Sequence, residues 1–239
     1  MRIISVTPNI YQLTRWLFFN SYLVREDDGL TLVDANMGRC GVQLVKAAKM
    51  LGQPIRRIAL THAHSDHVGA LDQLHDMLPK AKIFMSAREA RILAGDRNID
   101  PEEGKARLRG NFKKFTTHPT NYLNDLDPIG SLVAYASPGH TPGHFAFFDY
   151  RDRALLAGDV YSSFAGLYVT SLANPLFPFP AMATWDRAAN LVSARKLVGL
   201  EPSYLLVGHG RALGEPVAAM LEALKNAEQT PGKQEQEKK

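Results

Sequence analysis

An α/β fold built as a single domain is the expectation, and three features of the chain carry it. The 239 residues are 45% apolar, long enough for one large core, with no composition break that forces two. From residue 41 onward, stretches with helical spacing alternate with short apolar runs of strand length. Histidines and aspartates gather where several of those runs stop.

Before residue 41 the chain reads as antiparallel strands over 10–14, 21–25 and 30–34, with Glu26-Asp27-Asp28-Gly29 as a turn. Residues 41–51 form an amphipathic helix that turns Val42, Val45, Ala48 and Leu51 inward and stops before Pro54. A strand over 55–60 leads into a polar turn. Val68, Leu71, Leu74, Met77 and Leu78 then share one side of a helix that Pro79 ends. A strand over 81–85 and a helix over 87–94 follow. Residues 95–120 lose periodicity, gain charge and read as an inserted surface excursion. Strands over 132–136, 145–150 and 154–157 come next, then an irregular segment over 160–184, dense in Phe, Tyr, Leu and Pro, that no core element claims. A helix over 188–198, a strand over 204–207 and a helix over 215–227 close the domain, 1–229. The polar residues 230–239 are predicted to be a disordered tail.

Composition excludes several classes of function. The net charge of +4 is mild, and Lys and Arg are scattered apart from Lys105, Arg107, Arg109, Lys113 and Lys114, so nucleic acid is not an expected partner. That basic group reads as a solvated loop before it reads as a patch steering an anionic substrate. Cys40 is the only cysteine, which rules out a disulfide framework and a thiolate zinc site and leaves a small buried residue at a helix start. No basic, apolar and small-residue leader opens the chain, and its longest apolar run, over 16–24, is too short to cross a bilayer. A cytoplasmic protein with no membrane partner, monomer or homodimer, is the expectation.

The chemistry is concentrated in Thr61-His62-Ala63-His64-Ser65-Asp66-His67, which holds three of the eight histidines and a carboxylate. Neutral imidazole nitrogen suits zinc and its first-row neighbours, and a carboxylate adds charge and a hard oxygen. The cluster lies between a strand and a helix, where backbone curvature can aim successive side chains at one spot. His140, Asp159 and His209 each follow an apolar run and each has a glycine beside it, which lets backbone approach a metal closely. The strand ends are therefore expected to converge on one edge.

His62-x-His64-x-Asp66-His67, followed in order by His140, Asp159 and His209, resembles the metallo-β-lactamase fold superfamily of binuclear metallo-hydrolases. The likeness covers nearly the whole chain, including Leu-Val-Asp34-Ala before the first helix and Pro-Gly-His140-Thr-Pro-Gly. It implies a four-layer αββα sandwich of two mixed β-sheets with the metals at one sheet edge. It further implies that His62, His64 and His140 hold one divalent ion, that Asp66, His67 and His209 hold the second, and that Asp159 bridges them. Zinc is expected first, with iron, manganese or cobalt also compatible with such donors. Di-iron members carry Glu at the second histidine position; His64 stands there in this chain, which points to hydrolysis over redox work. Two dications against two ligand carboxylates favour a bridging hydroxide as nucleophile, with Asp66 passing a proton to the leaving group.

Other roles are expectations of the same reading. Asp34 orients a ligand histidine or caps the following helix. His144 stands behind the ligands or is an ordinary strand residue. Tyr161, two residues past Asp159, stands near where related lactonases place a tyrosine on the substrate carbonyl, with Tyr168 as a competitor. Trp16, Phe18, Phe19, Phe164, Tyr168, Phe177 and Phe179, with Leu167, Leu176 and Met182, offer an apolar rim for a small-molecule substrate with an apolar portion, or else cover the sandwich edge. The expected reaction is hydrolysis of a lactone or carboxylic ester. The alternatives are a glyoxalase II-like thioesterase, a β-lactamase-type amide hydrolase, a phosphodiesterase, and a metal-binding interaction protein without turnover.

Overall fold

The structure is a computed structural model that describes residues 1–103 and 106–230. The predicted disordered tail, beyond Thr230, and Lys105 lie outside the described residues.

Two large sheets face each other. The first contains β1 (Arg2–Ser5), β2 (Ile10–Arg15), β3 (Phe19–Glu26), β4 (Gly29–Val33), β5 (Ile55–Ala59), β6 (Lys82–Ser86) and β7 (Asn121–Leu123) in chain order. Strands β1 to β4 are antiparallel, and β4 to β7 run parallel. Helices α1 (Gly41–Met50), α2 (Ser65–Val68), α3 (Leu71–Met77) and α4 (Ala87–Leu93) form the crossovers between the parallel strands. The second sheet is assembled from β8 (Pro128–Ile129), β9 (Leu132–Ala136), β10 (Phe145–Asp149) and β11 (Ala154–Leu156), with β14 (Tyr204–Leu206) and β15 (Leu213–Gly214) on its other side. Between β11 and β14 lie a two-stranded ribbon, β12 (Tyr161–Ser162) with β13 (Tyr168–Val169), and helices α5 (Phe179–Ala183) and α6 (Arg187–Val198); α7 (Val217–Gln229) is the closing helix.

Three separate apolar clusters give four layers. Ile10, Val24, Val33, Phe145, Phe147 and Leu206 come from both sheets and fill the space between them. Leu32, Leu44, Ile58, Leu71 and Ile92 lie between the first sheet and helices α1, α3 and α4. Phe148, Leu155, Leu197, Leu205 and Met220 lie between the second sheet and helices α6 and α7. Central strands are covered on both faces, which is why β4 and β10 are buried at every position and read as continuous apolar runs. The architecture is the αββα sandwich with two mixed sheets. Among the described residues, no helix is long and apolar enough to cross a membrane.

Three local expectations are corrected. The helix over 68–78 is two pieces, because Ser65, Asp66 and His67 already form the first turn of α2, and the chain bends at Gly69-Ala70 before α3. In α1 the buried side is Leu44, Ala47 and Ala48, while Val42 is exposed; the apolar spacing fits two phases, and packing on the sheet selects one. Residues 95–120 do not form a free surface excursion. Phe112 and Phe115 are buried in the core outside the first sheet, and the chain crosses directly over His64.

Candidate metal centre

Five strands deliver the site. Asp34 follows β4, His62 to His67 follow β5, His140 follows β9, Asp159 follows β11 and His209 follows β14, each beyond a C-terminal end. Backbone hydrogen bonds hold these ends together: Asp34 N–H donates to Ala59 O at 2.9 Å, Phe145 N–H to Thr61 O at 2.9 Å, and Gly208 N–H to Gly158 O at 2.9 Å.

The side chains meet in three overlapping groups, His62-His64-His140, His62-His67-Asp159 and Asp66-His67-His209. Within each group the ligand atoms lie within 4.8 Å of one another. In the first group, His64 Nδ1 stands 3.0 Å from both His62 Nε2 and His140 Nε2. In the third, Asp66 Oδ2 is 3.4 Å from His209 Nε2 and 3.9 Å from His67 Nε2. Asp159 reaches both groups, with its carboxylate oxygens 3.4 Å from His67 Nε2, 3.4 Å from His140 Nε2 and 3.0 Å from His209 Nε2. All are buried except Asp66, which is partly open to solvent.

The outer partners of the rings test whether a cation fits. Thr61 Oγ1 donates its one proton to Asp34, so it accepts from His62 Nδ1–H at 2.9 Å. Thr184 Oγ1 donates to backbone carbonyls, so it accepts from His140 Nδ1–H at 3.0 Å. His64 donates Nε2–H to Arg109 O at 2.8 Å, His67 donates Nδ1–H to Asp34 at 2.7 Å, and His209 donates Nδ1–H to Phe18 O at 3.2 Å. Every ring therefore turns its remaining nitrogen inward. His67 Nε2 and Asp159 Oδ1 face each other with no hydrogen-bond partner, in a place roomy only because residue 208 is glycine; a Cβ there would lie 2.0 Å from Asp159 Oδ1. Converging lone pairs and carboxylates without donors are the arrangement that divalent cations satisfy.

The electrostatics agree. Burial, with mutual repulsion added, holds the His62 imidazole well below its ordinary pKa; burial likewise holds His140 far down and lowers His64. Burial also depresses His67 and His209, but the carboxylates around them, Asp159 foremost, outweigh it and hold both above the ordinary value. Burial raises Asp159, yet the imidazoles of His209 and His67 hold it well below the carboxylate range.

Two residues stand behind the ligands. Asp34, at φ 62°, accepts from Thr61 N–H at 2.8 Å and from the His67 ring, tying two parts of the histidine turn to β4. His144 donates to Ser137 Oγ at 2.9 Å and accepts the Asp159 backbone N–H at 3.1 Å, so it sets where Asp159 sits.

Tyr161 is not at the site, and its expected role on the substrate is withdrawn. It is fully buried in the core beneath α6, its hydroxyl donates to Ala194 O at 2.8 Å, and burial raises its pKa. The β12 strand points it away from Asp159. The rim residues divide. Phe18, Phe19, Phe164, Phe177 and Phe179 form one ladder of rings, with Phe19 and Phe177 5.4 Å and 5.6 Å from the His209 ring. Trp16 touches the ladder through Phe19 at 6.3 Å and is 60% exposed. Tyr168 packs over Gly166 in the ribbon and is not part of this ladder.

Sequence reasoning missed two polar groups. Asn20, buried, donates to Val207 O at 2.9 Å and Gly210 O at 2.7 Å and so braces the His209 loop against β3. Glu89, also buried, joins two ligand loops. Ser86-x-x-Glu89 has the spacing of a helix start, the one local signal available for either.

The sequence matches the metallo-beta-lactamase superfamily over residues 14–209, nearly the full span of the sandwich. The chain belongs to this superfamily. The uncharacterized protein YobT of Bacillus subtilis (strain 168) is 39% identical over 228 residues, 94% of this chain and 98% of that one. The probable metallo-hydrolase YflN of the same strain is 29% identical over 214 residues, 80% of each chain. A hydroxyacylglutathione hydrolase of Bartonella henselae is 25% identical over 155 residues, 62% of this chain and 53% of that one. Among solved structures, TTHA1623 in a di-iron-bound form superposes with a TM-score of 0.64 at 25% identity, covering 86% of this chain and 94% of that one. Members of the superfamily bind two divalent metal ions, and the His and Asp groups of this chain are fit for that, making a metal-dependent hydrolase the coarse function.

A pH prediction follows from the buried rings. His144 is held down to about 3 by burial, and His62, His64 and His140 are also lowered. In the unfolded chain these imidazoles protonate near pH 6.5, whereas in the folded protein they do not. The unfolded state then binds more protons, so stability falls as pH drops from about 6.5 toward 3. His67 and His209, raised, contribute stability that is complete below about pH 6.5 and is lost only as pH rises above it, so they do not offset this decline. Metal-free protein in chelator should show a urea midpoint that declines through this window; a flat or rising midpoint would contradict the assignment.

Proposed function

We propose that this chain is a zinc-dependent hydrolase of a lactone or carboxylic ester with an apolar acyl portion. The observation that carries the reading is the phenylalanine ladder lying against His209, whose Nε2 is 3.4 Å from the partly exposed Asp66. An apolar substrate arm settled on those rings brings its carbonyl to the paired clusters, while the buried polar side of the site stays closed.

Two divalent cations, when bound, supply Lewis acidity that lowers the pKa of water and polarises a carbonyl. His62, His64 and His140 would hold one and Asp66, His67 and His209 the other, with Asp159 shared. The chain's own residues do the rest. Asp34, Thr61, Thr184 and the carbonyls of Arg109 and Phe18 fix the orientation of each imidazole, so that its other nitrogen faces the cluster. Asp66, at the solvent edge, takes the proton of the attacking water and returns it to the leaving alkoxide, so that one water is consumed and an ester gives an acid and an alcohol, a lactone a single hydroxy acid. Phe18, Phe19, Phe164, Phe177 and Phe179 hold the apolar arm, with Trp16 at the outer edge. The carboxylate-poor, imidazole-rich donor set favours zinc. The reading includes a cytoplasmic protein acting on a small molecule.

The test is a panel of acyl-homoserine lactones, aryl esters, thioesters, phosphodiesters and a cephalosporin with zinc-loaded protein. Lactone or ester turnover rising with acyl length is expected. A thioester clearly preferred over its oxygen ester would favour the second reading, for which the likeness to a hydroxyacylglutathione hydrolase speaks. Two bound metals with no turnover on any member would favour an interaction protein. In the same assay Tyr161→Phe should leave turnover unchanged and lower stability by about 1 kcal/mol, because its hydroxyl serves only Ala194 O; a fall in kcat at full metal content would return Tyr161 to the mechanism.

A further inference from the structure

We propose that Glu89 is a positioning residue for the histidine cluster, its carboxylate fixing the distance between the turn that carries His62 and His64 and the loop that carries His140. The inference rests on the reading of those histidines as metal ligands, and not on the identity of the substrate.

Glu89 lies in the first turn of α4, three residues after Ser86. Ser86 Oγ accepts the Glu89 N–H at 3.1 Å, which is one half of a capping box. In the other half the glutamate would turn back to the Ser86 N–H. Here it leaves the helix instead. One carboxylate oxygen accepts the Ala63 N–H at 2.8 Å and the other accepts the Gly143 N–H at 2.9 Å. Ala63 is the residue between His62 and His64. Gly143 lies three residues after His140 and directly before His144, the ring that holds the Asp159 backbone.

One side chain therefore spans two loops that come from different sheets and carry all three rings of the first cluster. Ser86 adds to it by donating Oγ–H to Gly143 O at 2.7 Å. The loop lies so close to α4 that a Cβ on residue 143 would sit 2.6 Å from Ser86 Oγ and 2.7 Å from Arg88 Cβ. Glu89 is fully buried, and among the described residues no Lys, Arg or His forms an ion pair with it. A carboxylate in that setting is expensive to desolvate, and a helix face packed on a sheet would ordinarily carry an apolar residue there. What the carboxylate supplies, and an apolar residue does not, is two acceptors at a fixed separation. Glutamine would not substitute. Its amide offers one acceptor and sets an NH2 against the other N–H, releasing one of the two loops.

The test uses the full-length protein and cobalt(II) or zinc as the probe. Glu89→Gln is expected to weaken metal binding at the first cluster by at least about 10-fold in a chelator competition and to change the visible absorption of the cobalt-loaded protein. Leu44→Ala, on the buried side of α1 away from the site, serves as the control for a general loss of stability and should keep wild-type affinity. Wild-type affinity and spectrum in Glu89→Gln, or an equal loss in Leu44→Ala, would overturn the proposal. Should Glu89→Gln not fold, amide exchange in the wild type decides: Ala63 and Gly143 N–H should both be protected, and exchange at the rate of exposed loop amides would refute the tie. Failure of every ester and lactone to turn over would remove the substrate reading and leave this result standing.

Discussion

Asp159→Ala is expected to reduce bound metal from two ions per chain to one or fewer and to lower hydrolysis by about a thousandfold or more. Among the described residues, Asp159 is the only carboxylate whose oxygens approach both groups of rings, at 3.4 Å from His140 and from His67 and 3.0 Å from His209. Its charge also holds His67 and His209 in place when no metal is bound. Removing it leaves five inward-facing imidazoles with Asp66 alone as counter-charge, and the cations would then repel each other with half the compensation. Asp159→Asn keeps the volume and the backbone bond to His144 but loses the charge, so it should fail in the same way. Metal analysis and turnover measured on the same sample check this. Two tightly held ions with near wild-type activity in either variant would show that the shared carboxylate is not a bridge.

Gly110→Ala should weaken the first cluster by about 10- to 100-fold in metal affinity, an effect of the size found when a group orienting a ligand is lost. The residue has φ 98°, where an alanine is strained, and its Cβ would lie 2.2 Å from His64 Nε2. Either the 106–112 segment lifts or the His64 ring turns, and in both cases the Arg109 carbonyl no longer takes the Nε2 proton. His64 Nδ1 then leaves the point where it meets His62 and His140. Phe112, 4.5 Å from the His64 ring, and Trp185, whose indole N–H donates to Ala106 O at 2.9 Å, anchor the segment on either side. Chelator competition measures the loss, and unchanged affinity would mean that the segment only covers His64 without orienting it.

Much of the site was legible before the fold was known, and for a local reason. His62, His64, Asp66 and His67 fall within six positions, so a single turn can aim them together regardless of the rest of the chain. His140, Asp159 and His209 were legible because each stands just past an apolar run, and parallel and mixed sheets put their functional ends on one edge. The Phe residues of the rim were legible as apolar side chains that no strand or helix period claimed. Tyr161 was misplaced because two residues past Asp159 names a position along the chain and says nothing about a face; β12 turns the ring into the core under α6. The 95–120 segment was misjudged for a related reason. Its charged composition describes the side it shows to water, while the contacts that matter are a carbonyl, a glycine and one ring set against His64.

Residue type, spacing and strand-end position were enough to pick out the candidate donors and the order of most elements, because those depend on short-range periodicity and on the chemistry of individual side chains. The four-layer class came from the likeness to a known superfamily. The tautomer of every ring, the tie made by Glu89, the bracing by Asn20 and the crossing of Gly110 over His64 were settled by chain folding alone. Each is a hydrogen bond or a contact between groups tens of residues apart, and such pairs come within reach only when two sheets close on each other.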